Sequence, residues 1–172
     1  MNYLAIFALL LFPPFEAFKV LANIIVSQNF IFKSYSFDTT YLKKVNNIIE
    51  ELIRSYLPNL YSLMKEIKFE MWTTIWLETI YPLFLKTFDL QTCFKIWDAI
   101  FVFGIPYVLQ LIYAIFCTID ENLDQMDAEN LYESTKILLV QKSQTILAKS
   151  FDQSKYQYEF YFIKKSIQKS QL

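Results

Sequence analysis

Between Tyr41 and Tyr56 the apolar residues Tyr41, Leu42, Val45, Ile49, Leu52 and Tyr56 recur at helical spacing. Lys43, Lys44, Asn46, Asn47, Glu50, Glu51 and Arg54 occupy the other face. A period of 3.6 residues gathers the first set into one stripe and turns the second set to water, so this segment predicts an amphipathic helix. Asp38 is placed to cap its first turn and Pro58 to end it. A short helix is expected from Asn59 to about Ile67. Upstream, Asn2 to Phe12 reads as a buried helix, or the last turns of one, broken by Pro13-Pro14. A second helix runs from about Phe15 to Val26 with Phe15, Phe18, Leu21, Ala22 and Ile25 on one face. Ser27 to Phe37 is an aromatic-rich connection.

Downstream, Trp72, Ile75, Trp76, Thr79, Ile80 and Leu83 form the next stripe. Asp89 is a further cap, ahead of a helix in which Leu90, Cys93, Phe94, Trp97 and Phe101 share a face. On that helix Gln91, Thr92, Lys95 and Asp98 are expected to face away. Ala99 to Ile119 carries no charge and has the length of a membrane span. Gly104-Ile105-Pro106 lies inside it, however, and proline there would remove a helical hydrogen bond and clash with the preceding turn. Two helices meeting at a corner fit better, Gly104 ending one and Pro106 starting the next. Leu109, Ile112, Tyr113, Phe116 and Leu123 mark the second of these. Asp127 then caps a helix carrying Leu131, Thr135 and Leu138. From about Gln141 the character changes. Tyr158, Phe160 and Phe162 alternate with Gln157, Glu159 and Tyr161, a strand period, while Lys164, Lys165 and Lys169 make the end basic. Helix, added strand and disordered arm all stay open for residues 141–172.

Composition narrows the class. The chain is 55% hydrophobic and has a single glycine, Gly104, among 172 residues. Sandwiches and dinucleotide-binding folds need glycine at many turns, whereas helical folds do not. A net charge of −1 gives no basic excess for nucleic acid. The two cysteines, Cys93 and Cys117, have no metal-ligand spacing and read as small buried hydrophobes in a reducing compartment. With no histidine, the commonest general base and metal ligand is missing. No nucleophile–base pair is legible, and no cofactor or metal site is expected.

An ordered series of short motifs points to a family. Trp76-Leu77-Glu78-Thr79-Ile80-Tyr81 resembles the Trp-led helix of TBC domains, Trp-Phe-x-Thr-x-Phe. Lys95-Ile96-Trp97-Asp98 resembles their Arg-Ile-Trp-Asp element, and Gly104 stands where the family has a glycine after that helix. Leu123-Asp124-Gln125-Met126-Asp127 is similar to the family's Leu-Leu-x-x-Asp ending, and Leu57-Pro58-Asn59-Leu60 with Leu63 to its Pro-x-Leu-x-x-His-Leu segment. At the start, Met1-Asn2-Tyr3-Leu4-Ala5 looks like the residues directly after the family's Tyr-x-Gln-Gly motif. Phe15-Glu16-Ala17-Phe18 looks like its Glu-x-x-Ala-Phe helix. The resemblance covers roughly Met1 to Leu139.

It implies an all-α TBC-type fold, a C-terminal subdomain with part of the N-terminal one. Residues 1–140 would be a partial TBC domain and residues 141–172 a C-terminal extension. It also implies a Rab-family small GTPase as partner, a role in vesicle trafficking and a cytoplasmic location, with peripheral membrane association open. TBC domains supply an arginine finger from Ile-x-x-Asp-x-x-Arg and a glutamine finger from Tyr-x-Gln. This chain has neither motif, and its one arginine, Arg54, lies on the polar face of a helix. No catalytic residue is therefore assigned. Trp76, Lys95, Trp97, Asp98 and Gly104 are expected in structural roles. Three readings compete: an activator module missing its catalytic segment, a finger-less TBC scaffold in a larger assembly, and a small multi-span membrane protein.

Overall fold

The computed structural model describes residues 2–26, 39–66, 79, 82, 84–126, 131–152 and 156–170. Among these there are nine α-helices and no strand: α1 Asn2–Leu11, α2 Pro14–Val26, α3 Thr39–Tyr56, α4 Pro58–Glu66, α5 Leu90–Phe103, α6 Ile105–Asp120, α7 Leu131–Gln141, α8 Ser143–Phe151 and α9 Gln157–Ser170. A 3₁₀ turn, Leu123–Gln125, follows α6, so Leu123 lies beyond that helix and not within it. The all-α expectation holds.

The arrangement centres on α6, which packs against α3, α4, α5, α7, α8 and α9. Its sequence dictates this. From Tyr107 to Ile119 every residue but Gln110 is buried, so no side of the helix is left for water. A helix that is apolar all round must be enclosed by others. The polar side chain within the run, Thr118, donates to Ala114 O at 2.9 Å and accepts from Lys149 Nζ at 3.1 Å. The charge-free stretch from Ala99 to Ile119 is thus two helices, and no helix among the described residues is long and apolar enough to cross a membrane.

The corner between α5 and α6 is set by Gly104, at φ 66° and ψ −144°. Its N–H donates to Ile100 O at 2.8 Å and closes α5, while Pro106 stands in the first turn of α6. A Cβ at Gly104 would meet nothing within 4 Å, so only backbone strain opposes a side chain there. Gly104→Ala is expected to lower stability by about 1–3 kcal/mol, read as a shift in the urea midpoint at unchanged slope.

Helix starts are satisfied locally and at a distance. Asp89 accepts the Thr92 N–H at 3.0 Å and caps α5 as expected. The Thr92 hydroxyl and then its N–H lower the Asp89 pKa below 3.8. A depressed carboxylate stabilises the fold above its unfolded pKa and loses that contribution as pH falls through the folded value. Asp89→Ala should therefore cost about 1 kcal/mol near neutrality and progressively less as pH falls below 3.8, in matched thermal melts. The start of α4 is capped from elsewhere in the fold: Asp120 Oδ1 at the end of α6 accepts the Leu60 N–H at 3.1 Å. Burial pushes the Asp120 carboxyl upward, and the Leu60 bond pulls it the other way.

Several expectations are corrected. Thr92 does not face solvent. It is fully buried, because its hydroxyl donates to Asp89 and accepts from Gln144 Nε2 at 2.7 Å. On the same helix Leu90 and Phe101 are exposed instead of sharing the buried face. Helix α1 is only half buried: Phe7 and Ala8 enter the core, while Ile6, Leu9, Leu10 and Leu11 face out. In α2 Ala17 is buried and Leu21 and Ala22 are half-buried, whereas Phe15 and Phe18 are 69% and 68% exposed. These two helices pack on each other, and Phe7, Val20 and Leu21 join them to the core. For the tail, where the sequence leaves helix, strand and disordered arm all open, the structure gives helix over Ser143–Phe151 and Gln157–Ser170. Tyr156, Phe160 and Ile163 are buried at helical spacing, whereas Tyr158 and Tyr161 point to solvent. The connection Ser27–Phe37, the caps Asp38 and Asp127, and the Trp72–Leu83 stripe apart from Thr79 lie outside the described residues.

Candidate functional site

The segment Lys95-Ile96-Trp97-Asp98 lies mid-way along α5, where a turn of 100° per residue splits it between two environments. Ile96 and Trp97 point inward and are 0% and 1% exposed. The Trp97 ring stacks on Phe7 with centroids 4.4 Å apart and tilts against Phe101 at 5.5 Å, and Phe94 meets Phe7 at 5.6 Å. Trp97 thereby holds α1 against α5, the role of a core side chain.

Lys95 and Asp98 point the other way, into an open groove of about 580 Å³ between α5 and α8. Ala99, Val102 and Phe103 continue its α5 wall, and Gln144, Leu147, Ala148 and Phe151 form the α8 wall. Val102 is 73% exposed and Phe103 57%. The walls are held in place beneath the surface. Tyr107 on α6 meets Phe151 at 5.0 Å and Phe103 at 6.3 Å, and its hydroxyl lies 3.2 Å from Ser150 Oγ. Lys149, largely buried, fixes α8 to the end of α6 through Thr118 and an ion pair with Glu121.

The groove is chemically simple: an apolar floor with a cation, an anion and an amide on its walls. Such a surface can seat a protein segment. The thiols are elsewhere and inert. Burial pushes Cys93 up to about 12, with the Asp89 charge adding to it, and Cys117 up to about 11. Neither supplies thiolate near neutral pH. Both are free and buried, in line with their expected role as small hydrophobes. No three His, Cys, Asp or Glu side chains gather to hold a metal ion among the described residues. Arg54 is exposed in the last turn of α3 and does not line the groove.

Of the residues singled out by sequence, the structure brings Lys95 and Asp98 together on one wall, places Trp97 in the core behind them and sets Gly104 at the end of the same helix. Trp76 lies outside the described residues. Sequence reasoning missed the α8 wall, because Gln144, Leu147, Ala148 and Phe151 stand far from Lys95 in the chain and carry no motif of their own.

Comparison with known proteins gives one family. The family model described as the Rab-GTPase-TBC domain matches residues 1–125. That span includes α5 and α6 and stops short of α8. No curated protein and no solved structure matches the chain.

Proposed function

The chain belongs to the RabGAP-TBC family, and from that membership we propose that it binds a Rab-type small GTPase without accelerating GTP hydrolysis by itself. The observation that carries the second half is its side-chain inventory. TBC domains act through an arginine that stabilises charge on the transferring phosphoryl group and a glutamine that positions the attacking water. An arginine finger raises the rate by about 10³–10⁵. Here the one arginine is Arg54, in the last turn of α3, where Ile48-x-x-Glu51-x-x-Arg54 has the spacing of the arginine motif but glutamate for its aspartate, and no Tyr-x-Gln occurs.

The surface proposed for binding is the α5–α8 groove. Ile96 and Trp97 are accounted for by the core, whereas Lys95 and Asp98 are directed into the groove beside exposed Val102 and Phe103. In this reading the chain acts at trafficking membranes on their cytoplasmic side, through the GTPase it holds.

The test is a panel of Rab proteins assayed for binding and for GTP hydrolysis. One or more Rabs are expected to bind while hydrolysis stays at the intrinsic rate. Lys95→Ala and Asp98→Ala should each weaken that binding by about 1 kcal/mol or more and change folding stability by no more than about 0.5 kcal/mol. Accelerated hydrolysis would overturn the proposal, since a catalytic group would then have to exist in this chain. A folded chain that binds no Rab would leave the scaffold role in a larger assembly.

A further inference from the structure

We draw no further inference here: the strongest candidate, the exposed apolar face that Ile6, Leu9, Leu10, Phe15 and Phe18 form on the α1–α2 pair, carries none because nothing in the structure shows what covers it.

Discussion

Trp97→Ala is expected to cost about 3–5 kcal/mol of folding stability, the range for emptying a large aromatic site in a core. The ring is 1% exposed and is among the largest side chains enclosed in the molecule. Its removal loses apolar transfer free energy and leaves a hole that the surrounding helices fill only in part. It also removes the stack on Phe7, leaving Phe94 as the aromatic contact of α5 with α1. Domains of this size have total stabilities of about 5–15 kcal/mol, so a loss of this magnitude removes a large share of the total and should lower the urea midpoint markedly. Far-UV circular dichroism against urea measures it without depending on the deleted fluorophore. A loss under about 1 kcal/mol would show that the ring is not a core element. Trp97→Phe should recover part of the loss, because an aromatic ring of smaller volume still reaches Phe7.

A chain ended at Gln141 is expected not to fold. The family match ends at residue 125, and the sequence alone makes everything after Gln141 look like an appendage. The packing argues otherwise. Ile146, Leu147, Tyr156, Phe160 and Ile163 are buried, and α8 and α9 lie directly on α6. Each such side chain contributes about 1.5–3 kcal/mol on burial, so their combined loss rivals the whole stability of a domain. The truncated chain would also lay bare one side of a helix with no polar face to offer. Proton NMR dispersion and gel filtration decide the matter. Dispersed signals and a monomeric elution volume would show that residues 141–172 are dispensable, whereas collapsed signals and aggregation are the expected result.

The fold was most legible where backbone chemistry or strict periodicity governs. Residues 39–56 have a regular alternation of apolar and charged positions, and Val45, Ile49 and Leu52 are buried while Lys43, Glu51 and Arg54 are not. The α5–α6 corner followed from Gly104 and Pro106, because one supplies a positive φ and the other cannot continue a helix. Reading failed where burial depends on a partner distant in sequence. Thr92 looks like a surface residue until Asp89 and Gln144 both bond to it. In the tail, the alternation of Tyr158, Phe160 and Phe162 imitates a strand because tyrosine can stand in water. The true period is carried by Tyr156, Phe160 and Ile163. The spacing of Phe15 and Phe18 puts them on an apolar face, but exposure is a property of what lies above a face. The candidate groove was half legible. Lys95 and Asp98 belong to a recognisable motif, but their opposite wall is contributed by a helix whose sequence gives no sign of it.

The enclosure of α6 has a consequence for how this protein can diversify. A helix touched on every side has no position at which a substitution is felt by one neighbour only. Changes there must be matched in several helices at once, and single replacements are expected to be purged. The outward residues of α5 at Lys95, Asp98 and Val102 are free of that constraint. Lys95, Asp98 and Val102 can therefore vary while the centre stays fixed. Surface chemistry and foldability are encoded in different residues of the same helix.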